Sequence, residues 1–222
     1  MERVNRLVLD SETFGLNPNN VVFDIAWGIF NSKAIIKERG VLVDETFSPN
    51  RLESLPFYGK KKARMYEILA ETFPIRKWEV ILHVLAQDIM KYNVGAVYAY
   101  NAKFDIEAIK RTSEVLQTGK FTPFGGIQVF DLWTAFSEFA GRRKKFRPFC
   151  KENNLITPAG NVRTTAESAL KFLISSEYEE NHTALSDVRD EIFILKHLIK
   201  AKRAYNTLPV GNPWKLAQEE KG

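Results

Sequence analysis

Near its start the chain drives a short apolar run, Leu7-Val8-Leu9, straight into two acids, Asp10 and Glu12, and then reaches Gly15. Residues i and i+2 of a strand point to the same face, so a strand here holds two carboxylates side by side. Like charges at the end of a buried strand are unfavourable unless a cation sits between them. This one stretch therefore sets two demands. The remaining chain must cover a central buried strand, and it must deliver whatever else the cation needs.

The pattern that follows meets the first demand. After a first strand over 4–10, residues 21–30 and 34–43 read as two further strands joined by Asn31-Ser32-Lys33, an antiparallel hairpin that makes three strands with the first. Asp24 inside the second strand reads as an acid on a solvated face. Residues 45–78 are irregular, broken by Pro49, Pro56 and Pro74, with a short helix over 64–72. Residues 79–92 carry apolar positions 81, 82, 85, 89 and 90 on one helical face, and His83 there reads as structural. Short apolar strands at 95–100 and 127–131 each lead into a helix, the first to about Val115 and the second to Ala140, with Gly141 placed to end it. Thr164 and Glu167 suggest a capping box for a helix over 164–174. A last helix from Thr183 to Tyr205 has the stripe Leu185, Val188, Ile192, Leu195 and Ile199. Residues 206–222 read as a polar tail anchored at Trp214. Strands that cluster first and then alternate with helices indicate an α/β class with a mixed sheet.

Composition excludes some classes. The 222 residues are enough for one sizeable core, and 45% apolar with 27% charged residues is ordinary for a soluble globular chain. One cysteine, Cys150, rules out an internal disulfide, and it reads as a packed thiol. Glu2, Arg3 and Arg6 interrupt any apolar leader, and no run approaches membrane-spanning length, so the expectation is a cytoplasmic protein without a membrane partner. A net charge of +5 permits a polyanionic partner. Gly59–Arg64 and Arg142–Arg147 are basic clusters able to hold phosphates away from the acids, with Phe146 a candidate to stack on a base.

Two later sites answer the second demand. Asp105 opens a helix just after a buried strand. Asp187 lies between Leu185 and Val188 on the inward side of the last helix, where an unpaired carboxylate is costly and a metal would resolve the cost. His182, five residues earlier, is placed to take a proton from water. The competing view makes Asp187 a partner of the helix dipole and His182 a surface residue.

Together, Asp10-Ser11-Glu12-Thr13-Phe14-Gly15-Leu16, Tyr100-Asn101-Ala102-Lys103-Phe104-Asp105 and His182-Thr183-Ala184-Leu185-Ser186-Asp187 resemble, in order and spacing, the three motifs of the DEDDh, or DnaQ-like, 3′-to-5′ exonucleases. The resemblance implies a ribonuclease H-like mixed β-sheet flanked by helices over residues 1–205. It implies that Asp10, Glu12, Asp105 and Asp187 bind two divalent cations, Mg²⁺ or Mn²⁺, with His182 as general base and nucleoside 5′-monophosphates as products. It also implies that Thr13, Phe14, Leu16, Asn101 and Phe104 shape the pocket for the 3′-terminal nucleotides. The expected substrate is the 3′ end of single-stranded or frayed DNA. RNA with the same chemistry is the alternative, and a non-catalytic nucleic-acid-binding module is the reading from another class. Neither a polymerase nor another replication partner is legible. Many members have His where this chain has Tyr100, and Thr-Thr or Ala-Thr where it has Thr13-Phe14. Both departures bear on substrate preference, since neither touches a proposed metal ligand.

Overall fold

The run Leu7-Val8-Leu9 lies inside β1 (Asn5–Thr13), which continues through both acids instead of stopping at Asp10. The computed structural model describes residues 5–15, 20–54, 59–119 and 123–218, with no side-chain description for 54 and 59–62. Leu16 therefore lies outside the described residues. β1 pairs antiparallel with β2 (Val22–Phe30), and β2 antiparallel with β3 (Ile35–Val43). The turn between β2 and β3 is held by Asn31, whose Oδ1 accepts from the backbone N–H groups of Lys33 and Ala34. On its other side β1 runs parallel to β5 (Val94–Ala99), which is parallel to β6 (Val129–Asp131). A two-residue edge strand, β4 (Ile75–Arg76), lies parallel to β3 and completes the order β4-β3-β2-β1-β5-β6.

Alternation along β1 divides the core. Leu7 and Leu9 pack with α3 (Trp78–Lys91) and α4 (Ala102–Val115) on one face. Val8 packs on the other face with α5 (Leu132–Gly141), α6 (Phe146–Glu152), α7 (Ala166–Leu173) and α8 (Ala184–Lys200). The sheet is thus buried on both sides, as expected for a mixed α/β sheet. A third cluster forms under a lobe made of α1 (Pro49–Ser54) and α2 (Gly59–Thr72), where Leu52, Ala63 and Tyr66 meet Phe14, Phe23 and Leu42. Among the described residues no helix is long and apolar enough to cross a membrane.

Several local expectations need correction. α2 begins five residues before the expected 64. α6 was hidden by the basic cluster at its start, although Phe146 and Cys150 have helical spacing and are both buried. α7 is capped by Thr165, which accepts from Ser168 N, and not by Thr164 with Glu167. Thr164 is instead buried, its Oγ1 accepting from Trp133 Nε1 at 2.7 Å. α8 stops at Lys200, short of Tyr205, where Lys202 turns to φ +51°. Ile199 is consequently 44% exposed and outside the apolar stripe. Part of the segment expected to be a tail is packed: within 213–217, Pro213 and Ala217 are buried, while Trp214 is only partly so. Gly141 admits this segment, because a Cβ there would stand 2.0 Å from the carbonyl oxygen of Leu216. The Cys150 thiol is buried, which pushes it up to about 12 and leaves it a packing group.

Close approach of α8 to the sheet depends on Gly28. A Cβ at that position would lie 2.6 Å from Ile192 Cδ1 and 2.9 Å from Val188 Cγ1. Gly28→Ala is expected to destabilise the protein by about 1–3 kcal/mol through overpacking, read as a lower denaturant midpoint at unchanged slope.

Candidate active site

The parallel strands β1, β5 and β6 all end at one edge of the sheet, the usual position of a site in α/β folds. Asp131, the last residue of β6, fixes two helix starts there. Its carboxylate accepts from Thr134 N at 2.6 Å, capping α5, and from Ala102 N at 2.9 Å at the start of α4. Asn101 between β5 and α4 takes the left-handed conformation, φ +66°. This tight entry places Asp105 one turn into α4, only 2% exposed. Ser11, which points away from Asp10 and Glu12 along β1, donates to Asp105 Oδ1 at 2.7 Å.

α8 enters from the other side. Thr183 caps it in a reciprocal box with Ser186, which sets Asp187 in the first turn. His182, just before the cap, has φ +51°, uncommon for a residue with a side chain. One ligand atom each from Glu12, His182 and Asp187 lies within 4.8 Å of the other two. β1 and the start of α8, far apart in sequence, thus meet at the end of β1.

The electrostatics show how crowded the negative charge is. The Asp10 carboxyl is held well above the usual range by burial and then by the charges of Asp105, Glu191, Asp187 and Glu12. Burial pushes Asp105 up to about 7 against the opposing hydrogen bond from Ser11. Burial also pushes Glu180 up to about 8, with Asp187 the largest charge contribution, and its Oε2 lies 3.7 Å from His182 Nδ1. Carboxylates assembled in this way keep protons that a divalent cation would displace. Hard carboxylate oxygens suit Mg²⁺ or Mn²⁺; Glu12 and Asp187 bring theirs together with His182, and Asp10 and Asp105 do not join that group.

Two acids at the site were missed in the sequence. Glu191 is 2% exposed, accepts from Tyr100 N at 3.1 Å and is raised by burial, then by Asp105 and Asp187. The available signal was its place three residues after Val188 and four before Leu195, within the apolar stripe. Asp24, expected on a solvated face, is fully buried instead. It faces Glu12 across the β1–β2 pair, on the side covered by the start of α8.

The expected substrate-pocket residues divide. Asn101 and Phe104 are half-buried at the start of α4. Thr13 is buried, and its hydroxyl donates to the Gly15 carbonyl at 2.8 Å. Phe14 is 4% exposed, its ring 4.5 Å from that of Phe23 and covered at 4.2 Å by the Arg51 guanidinium. A ring so enclosed leaves little open face for stacking on a base. Tyr100 ties the site to the segment before α7, donating to the Thr164 carbonyl at 2.5 Å. Arg64 lines a cleft with Glu179, Glu180 and Asn181, close to His182 in sequence. Arg142 and Arg143 lie at the far end of α5, about 15 Å along a ten-residue helix from Asp131. Phe146, a stacking candidate in the sequence, is 1% exposed and packs edge-on against Phe136 and Phe172.

No protein-family model matches this chain. No curated protein matches it either. Solved structures do. Exonuclease I of E. coli in complex with a dT13 oligonucleotide superposes with a TM-score of 0.56 at 15% identity, over 88% of this chain and 41% of that one. The nuclease domain of 3′hExo, a DEDDh family member bound to rAMP, gives a TM-score of 0.62 at 11% identity, covering 93% and 98% of the two chains. A full-length 3′-exonuclease gives 0.61 at 10% identity, over 94% and 92%. This chain thus spans about two fifths of exonuclease I and nearly the whole of the other two. The fold is the α/β, ribonuclease H-like fold of the DEDDh exonucleases.

Proposed function

We propose that the protein is a metal-dependent 3′-to-5′ exonuclease that releases nucleoside 5′-monophosphates from single-stranded or frayed DNA. The observation that carries this reading is the convergence of Glu12, His182 and Asp187 at the carboxyl end of β1, beside Asp10 and Asp105, on a fold shared with exonucleases. Asp10, Glu12, Asp105 and Asp187 would hold two divalent cations, Mg²⁺ or Mn²⁺. Bound there, the cations would supply an activated water and stabilise charge on the scissile phosphate and the leaving 3′-oxygen.

The protein's own groups do the rest. His182 takes the proton from the attacking water; its imidazole lies beside Glu12 and Asp187, within reach of a water held by them. Glu180, beside His182 Nδ1, favours the ring orientation that leaves the other nitrogen to act. Asp131 and Ser11 fix Asp105 from two directions. Thr13, Phe14, Asn101 and Phe104, with Leu16, form or support the nucleotide pocket. Arg64 and the cluster at 142–147 offer cations to the strand leading into the site. The exonuclease unit is assigned to residues 1–205, with 206–222 as a C-terminal tail of which Pro213–Ala217 lies against α5. A cytoplasmic location accords with the single, buried cysteine.

Incubation of labelled single-stranded DNA and RNA with Mg²⁺, with Mn²⁺ and with chelator tests the assignment. Metal-dependent release of mononucleotides from DNA supports it, faster release from RNA moves the substrate to RNA, and no release from either polymer defeats the nuclease reading. His182→Ala is expected to lower turnover by about 10²–10⁴-fold, the usual contribution of a general base. Near-normal turnover in this variant would remove His182 from that role.

A further inference from the structure

Asp24 is a buried carboxylate that the proposed chemistry does not use. It is the third residue of a nine-residue, otherwise apolar strand, fully buried, and an acid in that position is costly unless its bonds achieve something. Its bonds lead in one direction. Oδ2 accepts from the backbone N–H of Ala184 at 3.1 Å, in the first turn of α8. The same oxygen accepts from the Tyr66 hydroxyl at 2.9 Å, and that hydroxyl stands 3.5 Å from the carbonyl oxygen of His182. Oδ1 is buried with no hydrogen-bond partner. Two groups from different parts of the chain, β2 and the α1–α2 lobe, therefore grip residues 182–184 from beneath.

What they grip is the strained point of the site. His182 is held at φ +51°, a backbone state that persists only where its surroundings over-determine it. The Thr183–Ser186 box fixes the residue after it. Tyr66 and Asp24 supply the constraint from the sheet side. Tyr66 itself is fully buried, locked edge-on against Phe23 at 5.2 Å, so its hydroxyl has little freedom to drift.

We infer that Asp24 and Tyr66 are positioning residues that set the His182 backbone, and that the α1–α2 lobe acts on the site through this pair. The inference rests on the exonuclease reading for its catalytic consequence but not for its structural one. Neither residue touches the substrate; both act through His182. A small displacement of a proton acceptor lowers the rate of proton transfer without changing how tightly the strand binds.

Tyr66→Phe removes one hydroxyl and keeps the ring. The chain has three histidines, so their imidazole Cε1–H resonances can be followed one by one, with His182→Ala supplying the assignment. In Tyr66→Phe the His182 resonance is expected to shift or broaden while those of His83 and His197 stay in place. With single-stranded oligonucleotide, kcat is expected to fall about tenfold at nearly constant KM, as for a modest misplacement of the acceptor. In the His182→Ala background the same change is expected to have no further effect, because its route is already removed. Should Tyr66→Phe fold poorly, Asp24→Asn keeps the side-chain volume and one acceptor oxygen and is read in the same way. An unmoved His182 resonance, or losses that multiply in the double variant, would overturn the inference. A wild-type protein that leaves every oligonucleotide intact would instead reject the nuclease reading, and the resonances would still decide the positioning role.

Discussion

Asp10→Asn is expected to reduce metal-dependent nucleotide release by about 10²–10⁴-fold and, in chelator, to raise the melting temperature. Both effects come from one cause. The Asp10 carboxyl is enclosed by burial and by Asp105, Glu191, Asp187 and Glu12, so folding without metal costs it either a bound proton or a clustered charge, and asparagine removes that cost. On the proposed assignment the same substitution also takes an anionic ligand oxygen from the cations. A loss of about 3–5 kcal/mol of transition-state stabilisation, several kcal/mol being typical for a metal, corresponds to that range of rates. Asparagine keeps the volume, so a folded variant is expected. Steady-state release with saturating Mg²⁺ and thermal melts in chelator give the two readings. If Asp10 served only the fold, the result would be inverted: a lower melting temperature with normal specific activity.

Without metal, the protein should lose stability as pH rises, contrary to the acid denaturation typical of salt-bridged carboxylates. Asp24 and Asp105 are raised to about 7 and Glu180 to about 8, chiefly by burial, and Asp10 and Glu191 are also raised well above the usual range. In the unfolded chain these groups titrate near pH ~4. Between there and the raised values the folded state binds more protons than the unfolded one, so the slope of stability with pH is negative. Stability is full below the unfolded values and is lost progressively as pH climbs through about 7 and 8. On the proposed assignment Mg²⁺ or Mn²⁺ would oppose this by binding the deprotonated folded site, so that its stabilising increment grows with pH. Melts at pH ~5, ~6.5 and ~8, each with metal and with chelator, measure both effects. A chelated protein whose melting temperature is flat or rises over this range would contradict the assigned cluster.

How much of this was legible in the sequence depended on whether a residue's surroundings were local. The Asp10-x-Glu12 geometry follows from strand periodicity, and the structure has both acids on β1 as that periodicity requires. The α/β class followed from the alternation of strands and helices, which needs no long-range information. Asp24 and Phe14 were different. Asp24 reads as a solvated acid until the start of α8 and Tyr66 of α2, 160 and 42 residues away in sequence, come to lie against it. Phe14 enters the sequence reading only as a pocket residue implied by resemblance, because the α1–α2 lobe that covers it was obscured by prolines and a basic run. Glu191 was hidden because its charge disguised a position in the apolar stripe, where a backbone N–H from Tyr100 receives it.

The most direct test of the central claim is a time course on a 5′-labelled single-stranded DNA carrying a free 3′-hydroxyl, with Mg²⁺ and then with chelator. Metal-dependent shortening one nucleotide at a time from the 3′ end, with nucleoside 5′-monophosphate as the released product and no shortening by Asp10→Asn, is the predicted result. An intact strand, an internal cut, or cleavage that Asp10→Asn performs as well as the wild type would contradict it.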